Sequence, residues 1–99
     1  MGSYDKKEYA LKYDPLVKAK DVERLDSFWF SEIQNAIKKK LTSRPDLFGK
    51  PLRESLSGLR SLRVGDYRVV YEVRSSTVYV LGILHRSEVY DEIEKRLGL

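Results

Sequence analysis

The stretch that most constrains this chain is Leu59 to Tyr90, LRSLRVGDYRVVYEVRSSTVYVLGILHRSEVY, in which strand-like runs flank a Gly65-Asp66 pair. A Gly-Asp dipeptide between two β-rich runs signals a two-residue hairpin loop, and such a loop fixes register. Val64 then pairs with Tyr67, Arg63 with Arg68, Leu62 with Val69 and Ser61 with Val70. Two arginines face each other across the hairpin. Directly opposed like charges on one sheet face are destabilising, so the pair points to an anion held between them.

The runs Arg60 to Val64, Tyr67 to Val73 and Thr77 to Leu84, joined by Gly-Asp and by Arg74-Ser75-Ser76, predict an antiparallel meander. Alternation places Tyr67, Val69, Tyr71 and Val73 with Leu62 and Val64 on a face that helices cover. It places Ser61, Arg63, Arg68, Val70, Glu72 and Arg74 on an opposite, polar face. Upstream, Tyr9 to Tyr13 alternates as a short strand, and Asp14-Pro15 opens a helix with Asp as N-cap and Pro at its first position. Leu16, Ala19, Val22 and Leu25 form the stripe of that helix, over residues 15–25. Asp26-Ser27 ends it and caps a second, from about Phe28 to Leu41, whose stripe is Trp29, Ile33, Ile37 and Leu41, widened by Phe30 and Ala36. Asp46 to Gly58 has a proline, two glycines and no clean period, and reads as a loop with room for one helical turn. Ser87 is the expected N-cap of a final helix with Val89, Ile93 and Leu97 at helical spacing. Glu88, Asp91 and Glu92 at its start, and Lys95 and Arg96 at its end, complement the macrodipole. The expected fold is α+β, in one domain over residues 1–99: an N-terminal strand and two helices packed on an antiparallel meander, then a short C-terminal helix.

Composition removes several function classes. With no cysteine and one histidine, disulfides, thiol catalysis and the usual zinc sites are ruled out. There is no phosphate-binding glycine loop and no nucleophile elbow. No apolar run approaches the roughly 20 residues that cross a bilayer, and the start MGSYDKKEYA has no leader-like apolar segment. A cytoplasmic protein with no membrane partner is therefore expected. The net charge of +4 is unevenly spread: between Asn35 and Ser75 there are ten Lys or Arg against four acids. A basic middle of this kind fits a polyanion-binding surface, with Lys38, Lys39, Lys40, Arg60 and Arg74 as candidate nucleic-acid contacts. The three lysines also suit the C-terminal end of a helix dipole.

The candidate site is Arg63 and Arg68, expected to be exposed strand residues, joined by His85 and Arg86 at the end of the last strand and Tyr90 one turn into the last helix. Guanidinium groups offer planar paired donors that match phosphate oxygens, so the set suits a phosphodiester. Each member has a plainer alternative. His85 can cap the strand end, Tyr90 can edge a core stripe, and Arg86 can pair with Glu88 or Asp91. Arg63 and Arg68 can splay into solvent or dock an acidic segment of a partner.

These residues also carry a resemblance. LRSLRVGDYRVVYEV, from Leu59 to Val73, resembles the central hairpin of the RelE/ParE superfamily of toxins, and GILHRSEVY, from Gly82 to Tyr90, resembles its last strand and following segment. Weaker similarity runs back through KDVERLD and the lysine-rich second helix. The resemblance implies a RelE-like fold and a toxin of a type II toxin–antitoxin system. In the RNA-cutting branch it implies a ribosome-dependent mRNA endonuclease that needs no metal or other cofactor. There a ribose 2′-hydroxyl attacks the adjacent phosphorus, leaving a 2′,3′-cyclic phosphate and a 5′-hydroxyl. Arg63, Arg68 and Tyr90 match the family's positions, whereas Ser61 and Leu84 stand where basic residues are expected. Arg63 and Arg68 would stabilise transition-state charge, His85 would carry a proton, and Tyr90 would orient or stack on the substrate. The implied partners are a cognate antitoxin, the ribosome and mRNA, with operator DNA reached only through the antitoxin complex. A poison of DNA gyrase and a non-catalytic binder of antitoxin and operator are the alternatives within the superfamily.

Overall fold

The structure is a computed structural model that describes residues 8–99; the first residues of the chain, on which the expectation of no leader rests, lie outside that range. Its central hairpin has the register that the turn demands, Val64↔Tyr67, Arg63↔Arg68, Leu62↔Val69 and Ser61↔Val70. Gly65 has φ 61° and Asp66 stays out of the left-handed region, as in a turn with glycine at its first central position. Space demands glycine there as well, because a Cβ would sit 2.4 Å from Trp29 Cη2.

Five strands form one sheet in the order β1-β5-β4-β3-β2: β1 (Ala10–Tyr13), β2 (Lys50–Pro51), β3 (Arg60–Val64), β4 (Tyr67–Arg74) and β5 (Thr77–His85). The meander β3-β4-β5 is antiparallel, as expected, and β1 lies parallel to β5 from Ala10↔Thr77 to Tyr13↔Val80. The segment read as a loop contributes a helical turn, α2 (Pro45–Phe48), and also the edge strand β2, paired with β3 through Lys50↔Ser61 and Pro51↔Arg60. A proline is tolerated at a sheet edge, where its missing N–H faces outward.

Helix α1 (Ser27–Ala36) continues through a wide-turn segment, Ile37–Leu41. Asp26 caps it, its Oδ1 accepting from the Trp29 N–H at 2.9 Å. Ile33, Ile37 and Leu41 seal a first core with Leu62, Val69, Tyr71, Val78 and Val80, while Trp29 packs at its margin and Phe30 faces outward. Asp14 opens the preceding helical segment as expected, accepting from the Leu16 N–H at 2.9 Å. That segment is not a regular α-helix: wide turns over Val17–Asp21 give way to a tight 3-10 turn over Val22–Arg24. Its inward side carries Val17 and Asp21, and Leu16 and Ala19 are exposed. Val22 and Leu25 of the expected stripe do pack against the core, but apolar spacing misplaced its first half because a buried residue here is an aspartate, held by a specific partner.

The expectation of one dry and one polar sheet face is corrected. Val70 and Leu84, on the face of Arg68, are fully buried in a second core with Leu56, Leu59, Val89 and Ile93. Helix α3 (Val89–Leu97) covers this core. It settles close because Gly82, opposite Val70, has no side chain; a Cβ there would lie 2.9 Å from Ile93 Cδ1. Of the final stripe, Val89 and Ile93 are buried but Leu97 is 46% exposed. Ser87 does not cap α3; Glu88 occupies that position without a side-chain bond, and Gly98 (φ 73°) closes the other end. No helix among the described residues is long and apolar enough to cross a membrane.

Candidate functional site

Where the second core stops, at the Gly65-Asp66 end of the sheet, an open cleft of about 560 Å³ lies between the hairpin, the end of β5 and the start of α3. Arg68, His85, Arg86 and Tyr90 line it, together with Leu52, Ser61, Ser87 and Val89. The hairpin register puts Arg63 directly across from Arg68. Leu84, also opposite Arg68, is part of the second core beneath, which explains why an apolar residue stands at that position.

Arg68 is half-buried rather than exposed, and it is held in place: its Nη1 donates to the Gly65 carbonyl at 3.0 Å and the Tyr67 carbonyl at 2.9 Å. Desolvation, then the positive charges of Arg63 and Arg86, push its guanidinium below the ordinary arginine value, and Asp66 opposes them. A cation destabilised by burial and by two like charges gains when an anion arrives. Arg86 follows at the end of β5. Its N–H donates to the Asp66 carbonyl at 2.8 Å and its guanidinium lies 3.7 Å from the Asp66 carboxylate, so it pairs with the turn and not with Glu88 or Asp91. Both side chains of that pair are well exposed, and such a contact constrains little.

His85 is opposite Tyr67 in the sheet, so it points toward the α1 side, edge-on to the Tyr67 ring at 6.3 Å, with the Trp29 ring tilted against Tyr67 beyond. Its place as the last residue of β5 still brings it to the cleft rim. Its Nδ1 lies 2.8 Å from Ser87 Oγ and accepts from the Ser87 N–H at 3.2 Å. Tyr90 is 38% exposed and does not belong to either core. Its Oη accepts from the Arg53 N–H at 2.9 Å, which leaves the phenolic proton free to donate.

Three stripes of α3 explain how Tyr90 arrives there. Val89 and Ile93 enter the second core. Tyr90 and Glu94 turn to the 53–55 loop, where they meet the Arg53 N–H and the Ser55 hydroxyl. Glu88, Glu92 and Arg96 turn to the first helical segment and pair with Arg24, Lys20 and Asp21. Sequence reading assigned these charges to the helix dipole. The four-residue spacing of 88, 92 and 96, opposite in sign to Arg24, Lys20 and Asp21, was the available signal.

The remaining basic candidates do not line the cleft. Lys38, Lys39 and Lys40 lie at the far end of the α1 extension, with Lys40 Nζ 5.6 Å from the Phe48 ring centroid. Arg60 turns inward and donates to the Gly49 carbonyl at 2.5 Å. Arg74, at the opposite end of β4, pairs with Glu72 at 3.0 Å and stacks on Tyr79. The basic middle of the sequence is thus divided among several places. Among the described residues no three His, Asp or Glu side chains gather as a metal site would require.

A small α+β protein whose meander ends in a cleft of arginines, a histidine and a tyrosine is the class that this geometry defines. Residues 11–90 match the family described as the ParE toxin of the type II toxin–antitoxin system parDE. The chain belongs to this family and is a toxin of the RelE/ParE superfamily. It is 38% identical over 74 residues to Toxin RelE of Mycobacterium tuberculosis, across 73% of this chain and 76% of that one. It is 40% identical over 52 residues to Toxin RelG of the same organism, across 50% of this chain and 60% of that one. Its fold superposes on a chain of the RelBE2 toxin–antitoxin complex from M. tuberculosis with a TM-score of 0.74 and 28% identity, over 82% of this chain and 94% of that chain. The RelB–RelE complex of Methanococcus jannaschii gives a TM-score of 0.63 at 22% identity, over 82% and 96%, a likeness of fold.

Proposed function

We propose that this toxin is an endoribonuclease that cuts messenger RNA on the ribosome in the cytoplasm, acting as a single domain. The carrying observation is the convergence of Arg68, Arg86, His85 and Tyr90 on one cleft in which burial, and then the charges of Arg63 and Arg86, disfavour the Arg68 cation. The scissile phosphate lies against Arg68, with Arg63 and Arg86 at its flanks, and the three offset the charge that grows on its oxygens. The ribose 2′-oxygen attacks phosphorus as the bond to the 5′-oxygen breaks, giving a 2′,3′-cyclic phosphate and a 5′-hydroxyl. His85 takes the 2′-proton at Nδ1, the nitrogen that otherwise accepts from the Ser87 N–H, giving up that contact as it does so. Tyr90, its oxygen already accepting from the Arg53 N–H, orients the nucleotide and directs its own proton toward the leaving oxygen. No metal enters this route, since arginines carry the charge. Because the M. tuberculosis and M. jannaschii relatives are complexes with antitoxins, we assign this chain a cognate antitoxin that masks the basic cleft, with operator DNA engaged through that complex.

Primer extension on translating ribosomes with purified toxin tests this. New 5′ ends are expected with the wild type, and Arg68→Ala is expected to remove them. The ParE description of the matching family favours a second reading, a poison of DNA gyrase. Intact RNA together with gyrase-cleaved DNA from the folded wild-type protein would overturn the first reading in favour of the second.

A further inference from the structure

Strand β1 ends at Tyr13↔Val80, where the Asp14 N–H donates to the Val80 carbonyl at 2.8 Å, but β5 runs on to His85 with no strand of the described residues beside it on that side. Two side chains take over the backbone there. Asp21 Oδ2 accepts from the Ile83 N–H at 2.9 Å, and Arg96 Nη1 donates to the Leu81 carbonyl at 3.1 Å. They also bond each other twice, at 2.9 and 2.6 Å. Both are sealed from solvent, with side-chain exposures of 0% for Asp21 and 6% for Arg96.

We infer that Asp21 and Arg96 are positioning residues for Tyr90: they clamp α3 to the unpaired end of β5 and so set where the tyrosine stands over the cleft. The clamp has a definite address. A helix shifted along β5, or rotated about its axis, loses the Leu81 and Asp21 contacts together. Arg96 and Tyr90 belong to one helix, six residues or about 9 Å apart along its axis at 1.5 Å per residue, so an error at one end is carried to the other. Arg24–Glu88 and Lys20–Glu92, the pairs on either side, have partners 39–50% and 19–46% exposed and constrain the helix less. The second core is made of aliphatic contacts and carries no directional bond of its own. Among the described residues, the side-chain contacts of the Asp21–Arg96 clamp are directional bonds to the backbone of β5; at the start of the helix the Glu88 N–H donates to the His85 carbonyl at 2.9 Å, which leaves the rest of α3 to the clamp. A catalytic role for Tyr90 rests on the RNA-cutting reading, whereas its placement by Arg96 does not.

The experiment compares Arg96→Met, Arg96→Lys and Asp21→Asn with the wild type and with Tyr90→Phe. One readout is the amide resonance of Arg53, which reports the hydrogen bond to Tyr90 Oη. The other is the single-turnover rate of mRNA cleavage on ribosomes at saturating toxin. Arg96→Met should move the Arg53 resonance as Tyr90→Phe does while β1 and β3 resonances stay in place. Since a misplacement of about 1 Å costs about 100-fold, the rate should fall by about 10- to 100-fold with little change in half-saturating concentration. Arg96→Lys, which keeps the charge and one bond, should recover part of both, and it carries both readouts if Arg96→Met does not fold. An unmoved Arg53 resonance in a folded Arg96 variant overturns the inference, whatever the rate does. A wild-type toxin that cuts no RNA overturns the nuclease reading alone, and the Arg53 resonance still decides the positioning.

Discussion

In an Arg63→Glu variant the residue opposite Arg68 changes sign, while the β3–β4 register set by the Gly65-Asp66 turn is untouched. Two unit charges roughly 6 Å apart in water interact by about 0.7 kcal/mol, within the range of about 0.2–1 kcal/mol for cross-strand pairs. Replacing repulsion by attraction therefore raises stability by about 1–1.5 kcal/mol. For a chain of this size that is a rise in Tm of about 4–8 °C per kcal/mol. Arg63 is the informative partner because it is exposed, whereas Arg68 also bonds the Gly65 and Tyr67 carbonyls. Urea unfolding at low salt should show a higher midpoint with an unchanged slope. At about 1 M salt, where the screening length is about 3 Å, most of the gain should vanish. The same variant should lose RNA cleavage, because a carboxylate beside Arg68 offsets its charge and repels the phosphate. A midpoint that stays or falls at low salt would refute the claim that the two arginines are in mutual repulsion held for a ligand.

Breaking the buried pair should be the costlier change: Arg96→Met leaves the Asp21 carboxylate uncompensated and should destabilise by about 3–5 kcal/mol in urea unfolding. Gly49→Ala places a Cβ 2.0 Å from Tyr71 Oη, which is buried and donates to the Pro45 carbonyl at 2.5 Å, so a loss of about 1–3 kcal/mol is expected by thermal or urea unfolding. Glu92 is held below the usual carboxylate range, chiefly by its hydrogen bond from Arg96, with Lys20 adding to it against desolvation. A carboxyl depressed in the folded state contributes stability that is present above its unfolded pKa, about 4.3, and lost as pH falls through its folded value. Glu92→Gln should therefore cost about 0.5–1 kcal/mol near neutrality and flatten the acid limb of the stability profile, measured by urea midpoints from neutral pH downward.

The hairpin, its register, the meander and the caps at Asp14 and Asp26 were legible in the sequence because they depend on neighbours a few residues away. So was the grouping of Arg68, His85, Arg86 and Tyr90, since strand ends and a short connection bring them together. The edge strand β2 was hidden because two residues carry no period of their own. Arg60 looked like its basic neighbours until its Gly49 partner, eleven residues away, turned it inward.

From the amino-acid order alone came the opposed Arg63 and Arg68, because a two-residue turn with glycine at its first position admits one pairing. Tertiary structure alone decided that the polar face is half covered, that Asp21 is buried, and that Tyr90 leans on the Arg53 N–H. Each of these depends on α3 returning across the sheet to meet residues some 35 to 75 positions earlier. Local periodicity holds no record of such a return, because a charge at helical spacing looks the same whether it faces water or a buried partner.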